Sequence, residues 1–376
     1  PPSGDHAISA AHLSGRDLVS EKHFHSLEVA EIVEETAEAR SIRFAVPPEL
    51  AATYRYRAGQ HLTLRAFIGG EEVRRNYSLC TAPHEGALKV TVKQIAGGAF
   101  SNWVARELKS GDRLDVMPPH GSFTIDFERG QARRYVAFAG GSGITPIMSL
   151  ARTALAEEPE SRFTLFYGNR DASSIIFLEA LAELKDRYLG RFELFHLLSD
   201  EEGDVELLNG MLDRATCDRL LEAFVPEPAD IDAFFICGPG PMMDSAEAAL
   251  LDRGVAPERI HIERFTAGRP SAALAAEMAQ LQQAASGLQM SVTIDGRTRR
   301  VAFDGSNILD SARSSGLAAP FACKAGVCAT CRARVTAGEV SMGARYGLTD
   351  EEIAAGYVLT CQSVPKGEGV AVDYDA

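Results

Sequence analysis

Four of the seven cysteines stand at spacings that could hold a metal centre. Cys323, Cys328 and Cys331 lie in the run FACKAGVCATCR, and Cys361 follows after 29 intervening residues. Read as C-x4-C-x2-C…C, this is the plant-type pattern for a [2Fe–2S] cluster. Thiolates are soft ligands suited to iron–sulfur chemistry. Gly326 would let the loop backbone approach the cluster sulfides, so that amide N–H groups tune its potential. The competing reading is one zinc ion on four cysteines. Structural zinc ordinarily uses two C-x2-C pairs, and the chain has a single one.

Three further stretches could grip phosphates and flat rings. In Arg75-Asn76-Tyr77-Ser78, alternation along a strand puts Arg75 and Tyr77 on one face, which suits a ligand with a phosphate and an aromatic ring. GGAFSNW, residues 97–103, sets two glycines before a helix start, where backbone N–H groups favour a pyrophosphate. Together the two suggest a dinucleotide such as FAD, against the plainer alternative of an exposed strand face. Gly140-Gly-Ser-Gly-Ile-Thr-Pro146 follows an apolar strand and opens a helix, as nucleotide-binding turns do. It departs from G-x-G-x-x-G because Pro146 takes the final place, and tight packing is the alternative. Cys237-Gly238-Pro239 ends another apolar strand, where ligands of such sheets lie, although a free cysteine ordinarily behaves as a small hydrophobe. Cys80 and Cys217 have no such surroundings and read as structural.

The elements that must position these residues are legible in outline. LEVAEIVEE, SIRFAVP, HLTLRAFI, RRNYSLCTAP and ALKVTVKQI are short, half-alternating segments separated by Gly- and Pro-rich turns, the mark of an antiparallel barrel or sandwich. A helix is expected over SNWVARELKSGD, with Ser101 placed to cap it and Gly111 to stop it. From about residue 131 strands alternate with helices, which implies parallel βαβ units in a doubly wound sheet. Residues 268–288, rich in Ala and Gln, read as a linker, in part helical. Two strands across Asp295-Gly296 and a helix then precede the cysteine loop. The expected division is a disordered N-terminus over 1–22, a β-barrel over 23–130, an α/β nucleotide domain over 131–267, the linker, and a cysteine-loop domain over 289–376.

Composition sets the outer limits. The chain has 376 residues, enough for two or three domains. Its longest apolar run falls short of the roughly 20 residues that span a bilayer. A net charge of −14 argues against nucleic acid as the main partner. Before residue 289 there are 42 acids and 29 bases; from there on, 10 and 9. An odd number of cysteines, three of them clustered in one loop, and no basic stretch leading an apolar one at the N-terminus point to a reducing cytoplasm rather than a secreted disulfide scaffold.

RNYS, GGAFS, GGSGITP and ICGPGPMM, in this order, resemble the ferredoxin–NADP reductase family, and the C-terminal cysteine pattern resembles a plant-type ferredoxin fused behind it. The resemblance covers about residues 24–376. YGNRDASSIIFLEALAELKDRY, HIERF, ACKAGVCATC and EIAAGYVLTCQSVP bring it nearer to the reductases of bacterial phenylacetyl-CoA epoxidases. Reductases of steroid hydroxylases and other oxygenases share the architecture. The resemblance implies a multidomain protein: an antiparallel β-barrel for FAD, a doubly wound α/β domain for NADPH or NADH, and an α+β, β-grasp ferredoxin domain with its cluster. It places Arg75 at the FAD pyrophosphate, Tyr77 against the isoalloxazine and Ser78 near the hydride-accepting nitrogen. Gly98, Ala99, Phe100 and Ser101 follow at the pyrophosphate, with Val92 and Lys93 as neighbouring cofactor contacts. Gly141, Gly143 and Thr145 are implied at the nicotinamide nucleotide, with Cys237, Gly238 and Pro239 opposite. Thr145 and Cys237 flank the nicotinamide and, with Ser78, form the expected catalytic set. Phe265 resembles a residue near the flavin face, but this chain continues where the plant reductases end on an aromatic.

The chemistry then has an order. A nicotinamide gives two electrons as hydride, a [2Fe–2S] cluster takes one at a time, and a flavin does both. The expected function is an NAD(P)H-dependent reductase serving a separate oxygenase, first of all phenylacetyl-CoA epoxidase. An NADH-dependent reductase of another hydroxylase, Rieske or steroid, a stand-alone diaphorase and a carrier module are the alternatives. The fused ferredoxin counts against the diaphorase, and the intact nucleotide motifs count against the carrier. After FTLFYG come Asn169, Arg170 and Asp171. Arg170 suits the 2′-phosphate of NADPH, whereas Asp171 leaves NADH open. Lys324, Arg332 and Arg334, with no acid between them in sequence, suggest that an acidic patch of the oxygenase docks there.

Overall fold

The computed structural model describes residues 24–266 and 272–376, so the stretch expected to be disordered, 1–22, lies outside the described residues. Six antiparallel strands build the first domain: β1 (His25–Thr36), β2 (Ala39–Ala45), β3 (His61–Ile68), β4 (Glu71–Ser78), β5 (Leu88–Lys93) and β6 (Arg113–Val116). Their order is β4-β3-β6-β1-β2-β5. A bridge from Leu79 to Val90 joins the two edges and closes the sheet toward a barrel. Side chains alternate across a strand, and closure buries the inward set, among them Leu27, Ile42, Leu62, Leu64 and Val116.

Helix α1 (Ala99–Arg106) plugs this barrel with Phe100 and Val104. Here the expected cap is corrected. Gly98, not Ser101, holds the N-cap place, because its carbonyl already accepts from the Asn102 amide at 3.1 Å. The Ser101 hydroxyl instead accepts from the Ile95 amide at 3.1 Å and fastens the turn before the helix. The helix ends at Arg106, ahead of Gly111.

The second domain is a parallel sheet of β7 (Arg134–Gly140), β8 (Arg162–Asn169), β9 (Phe192–Leu198), β10 (Ala233–Cys237) and β11 (Ile260–Glu263) in the order β11-β10-β7-β8-β9. Helices α2 (Ile144–Glu157) and α3 (Leu178–Arg187) cover one face, and α4 (Arg214–Phe224) and α5 (Gly240–Leu251) cover the other. The central strands β7 and β10 are buried on both sides, which is why YVAFA and AFFIC read as unbroken apolar runs. Tyr135 and Ala137 enter one core while Val136 and Phe138 enter the other. The order reverses between β7 and β10, and a crevice for ligands opens beyond their carboxyl ends.

The third domain has a mixed sheet of β12 (Gln289–Ile294), β13 (Arg297–Ala302), β14 (Arg332–Ala337), β16 (Tyr357–Leu359) and β18 (Ala371–Asp373), in the order β13-β12-β18-β14-β16, with β12 and β18 parallel. A pair, β15 (Val340–Met342) and β17 (Ser363–Pro365), stands beside it. Helix α7 (Ile308–Ser314) packs Ile308, Leu309 and Ala312 onto this core, and a short α8 (Asp350–Ala354) precedes β16. The stretch read as a linker, 268–288, carries a helix, α6 (Ala272–Ala285). Ala, Gln, Leu and Met are strong helix formers, and Met278, Leu281 and Ala285 pack against the third core.

Candidate functional site

Three strand ends build the crevice. Cys237 closes β10 in register with Ala139 of β7 on one side and Glu263 of β11 on the other. The glycine turn after β7 is pressed against it. A Cβ on Gly143 would stand 2.0 Å from the Cys237 carbonyl oxygen and 2.7 Å from the Gly238 nitrogen, so packing alone demands glycine there. Gly141 differs: a Cβ there would meet only Lys93 Nζ, 3.7 Å away. The turn therefore serves close packing at Gly143 and leaves an open face at Gly141. The buried Thr145 donates its hydroxyl proton to the Ser142 carbonyl at 3.0 Å.

The barrel supplies the opposite wall. Ser78, the last residue of β4, donates to Glu263 Oε2 at 3.1 Å across the domain boundary. Glu263 also lies 3.6 Å from His61 Nδ1. His61 stands opposite Ser78 in the β3–β4 ladder, and its other nitrogen meets Asn76 Nδ2 at 3.2 Å. Ser78 and Cys237 are both buried. Burial, with the Glu263 charge beside it, pushes the Cys237 thiol well up, so it is a neutral S–H at neutral pH. Neither Glu263 nor His61 stands out in the sequence. HIERF draws notice for Phe265; the carboxyl-end rule could have flagged Glu263, whereas His61 needs the strand register.

The uninterrupted β3–β4 register keeps Arg75 and Tyr77 on one face. Arg75 is exposed, with Nη1 donating to the Arg74 carbonyl at 2.7 Å. The Tyr77 ring is 5.6 Å from that of Phe100, and burial pushes its phenol up. The Phe100 and Val92 side chains lie in the barrel core, which leaves only their main chain for a ligand. Lys93 stands 3.9 Å from Glu38, and Glu38 also receives Arg170 Nη2 at 3.0 Å. Asn169, at the end of β8, has its Nδ2 buried without a partner. Gly238 and Pro239 lead into α5. Phe265 is half-exposed; its neighbour Arg264 pairs with Asp244 at 2.7 Å and lies over the Tyr346 ring of the third domain. The amides opening α1 and α2 suit two sets of phosphates, and the unpartnered Asn169 amide suits a polar group on a nucleotide. These residues fit a flavin dinucleotide facing a nicotinamide dinucleotide.

In the third domain the cysteines fall into two neighbouring pairs, Cys323 with Cys328 and Cys331 with Cys361. The Ala325 amide donates to Cys323 Sγ at 3.3 Å, and the Cys323 amide to Cys328 Sγ at 3.5 Å. Gly326 has φ +75°, and a Cβ there would stand 2.5 Å from the Ala344 carbonyl oxygen. Two thiolates for each of two irons is the [2Fe–2S] requirement; a single zinc needs four ligands around one point. Among the described residues, no three His, Cys, Asp or Glu side chains converge on one ion. Cys80 and Cys217 are core residues whose thiols burial pushes up, to about 11 and about 12.

The basic residues beside the loop are less free than their sequence implies. Lys324 pairs with Asp310 of α7 at 2.6 Å, and Arg332 pairs with Glu352 of α8. Both acids lie outside the run FACKAGVCATCRAR and reach it only through the fold. Arg334 makes no ion pair among the described residues. The loop faces a cavity of about 580 Å³ shared by all three domains and lined by His61, His120, Glu263, Arg264, Cys328 and Thr330 among others.

Three family models match this chain. Residues 26–125 match the oxidoreductase FAD-binding domain, 138–248 the oxidoreductase NAD-binding domain, and 292–366 the 2Fe-2S iron-sulfur cluster binding domain. A component of the 1,2-phenylacetyl-CoA epoxidase of Escherichia coli is 43% identical over 94% of this chain and 98% of its own length. This chain belongs to the ferredoxin–NADP reductase family, in the form fused to a plant-type ferredoxin. The ferredoxin reductase component of 3-ketosteroid-9-alpha-monooxygenase from Mycobacterium tuberculosis is 38% identical over 94% of this chain and 96% of its own. The solved phthalate dioxygenase reductase shares the three-module fold, with a TM-score of 0.58 at 22% identity over 94% of this chain and 98% of that one. The protein is thus an NAD(P)H-dependent flavin and iron–sulfur oxidoreductase. Among the described residues no helix is long and apolar enough to cross a membrane.

Proposed function

We propose that this chain is the reductase component of a phenylacetyl-CoA epoxidase, delivering electrons from NADPH to a separate oxygenase in the cytoplasm. The observation that carries this is the 43% identity to the Escherichia coli epoxidase component along nearly the whole of both chains. When bound, FAD accepts electrons in pairs as hydride and passes them on singly. The chain's own residues bind and orient. Arg75 and the α1 amides take one pyrophosphate, and the α2 amides with Gly141 take the other. Cys237 and Thr145 bracket the nicotinamide with Gly143, Gly238 and Pro239 behind them. Because Ser78 commits its proton to Glu263, its oxygen lone pairs remain to accept from a ring N–H. Cys323, Cys328, Cys331 and Cys361 hold the cluster. The decisive experiment is reconstitution: NADPH, dioxygen, this protein and the purified epoxidase should epoxidise phenylacetyl-CoA, one oxygen atom entering the product and the other leaving as water. Turnover with a ketosteroid hydroxylase but not with the epoxidase would favour the second reading, for which the 38% identity to that enzyme's reductase speaks.

Arg170 is the proposed contact for the NADPH 2′-phosphate, with Glu38 as its resting partner. Arg170→Ala should raise KM for NADPH far more than for NADH; equal changes would remove the assignment. Docking is proposed near Lys324, Arg332 and Arg334. Since two of the three carry acid partners, Arg334 contributes most. Arg334→Glu should slow transfer to the oxygenase and weaken its salt dependence.

A further inference from the structure

The cysteine loop meets the barrel at two points, one at each end. At the first, Phe321 stands two residues before Cys323. Its carbonyl accepts from Arg74 Nη1 at 3.1 Å. Its ring centroid lies 4.1 Å from the Arg74 guanidinium and 4.2 Å from that of Arg313. Arg74 is only 3% exposed. Glu72 holds its Nε at 2.5 Å, and Phe24 places its ring 4.8 Å away. A guanidinium is buried at a cost unless its donors and charge are matched, and part of that match comes from the cysteine loop.

At the second point, Thr330 stands between Cys328 and Cys331, with its hydroxyl 3.3 Å from His120 Nε2. His120 Nδ1 faces the Pro118 carbonyl at 3.1 Å, so Nδ1 carries the proton and Nε2 accepts. His120 is tied to His61 by main-chain bonds in both directions, at 2.9 and 3.1 Å, and the rings lie 4.2 Å apart. His61 is the register partner of Ser78. Both anchors therefore rest on the strand pair β3–β4, which also carries Arg75, Tyr77 and Ser78. Alternation separates the tasks: Arg75 and Tyr77 point to one face of β4, and Arg74 and Asn76 point to the other.

We propose that Arg74 and His120 are positioning residues for electron transfer from the barrel to the cluster, pinning the loop at Phe321 and Thr330 to the strand pair that holds the flavin contacts. This rests on the function proposed above. In each transfer one electron leaves the reduced flavin and one ferric iron becomes ferrous. The cluster would hand each electron on to the oxygenase before taking the next, so two transfers would clear the pair that one hydride delivered, and the remaining proton would go to water. No bond within the protein forms or breaks. The strand pair would fix the spacing of the two centres, so loosening either anchor should affect this step and not hydride uptake.

The test uses the full chain loaded with both cofactors, as Arg74→Met, Phe321→Leu, His120→Ala and His120→Gln. Phe321→Leu keeps the buried arginine in place and covers the case that Arg74→Met fails to fold. In anaerobic stopped flow, flavin bleaching by NADPH and KM for NADPH with ferricyanide should stay as in the unaltered protein. The cluster-reduction phase should slow roughly tenfold or more in the first three variants, and His120→Gln, which retains an acceptor for Thr330, should recover most of it. Hydrogen exchange of the amides of residues 321–331 should rise in the same three. Unchanged cluster reduction together with unchanged exchange overturns the proposal, as does a slowing of both phases in proportion. If NADPH reduces no cluster in the unaltered protein, the functional reading fails, and the exchange result alone decides whether the anchors hold the loop.

Discussion

Glu263 ties together two domains and two predictions at the scale of single residues. It accepts from Ser78 across the boundary and lies in register with Cys237. Ser78→Ala removes that donor and leaves a half-buried carboxylate short of a partner, which costs about 1 kcal/mol. Flavin reduction by NADPH should then slow by roughly tenfold, read in anaerobic stopped flow. A rate equal to that of the unaltered protein would show that the hydroxyl is idle. Cys361→Ser should abolish cluster absorbance while ferricyanide reduction by NADPH continues, because the flavin site shares no residue with the cluster loop. Ser78 and the four cysteines are legible because their signals are local motifs. Glu263, His61, Arg74 and His120 are not, since each acquires its role only through a contact across strands or domains.

At the scale of elements, the glycine turn gives a paired prediction. Gly143→Ala drives a Cβ to 2.0 Å from the Cys237 carbonyl oxygen, and a backbone clash of this kind costs about 2 kcal/mol or more. Gly240, the first residue of α5, has open space where a Cβ would be, so Gly240→Ala should change stability by less than about 0.5 kcal/mol. Thermal unfolding of the two variants tests whether packing is what demands glycine at Gly143. Glu158, at the end of α2, supplies a pH dependence. Burial pushes its carboxyl up, but hydrogen bonds from Arg133, Ser161, the Glu128 amide and Tyr135 outweigh this and hold it below the ordinary range. Its folded pKa is therefore lowered, so its stabilisation is present above the unfolded carboxylate value and is lost as pH falls through the folded one. Denaturant titrations at falling pH should show that loss, and Glu158→Gln should reduce it. Strands and helices follow from periodicity. The α1 cap falls elsewhere than expected because serine is a good cap in general, whereas here the Gly98 carbonyl has already started the helix. In residues 268–288 composition signals helix, yet packing on the third core has no local mark.

At the scale of the whole molecule, the chain orders three modules so that one cavity touches all of them. The excess acid lies in the first 288 residues, while the cluster domain is nearly neutral. That asymmetry favours an acidic partner at the cluster end, and electrostatic attraction of this kind acts on encounter rate. Electron delivery to the epoxidase should accordingly slow as salt rises; a rate indifferent to salt counts against docking at Arg334. The central claim is the order of electron flow, and rapid mixing with NADPH without oxygen tests it most directly. Flavin absorbance should bleach first, with cluster reduction following as a distinct later phase that is absent in Cys361→Ser. Cluster reduction at an undiminished rate in protein stripped of flavin would contradict the account.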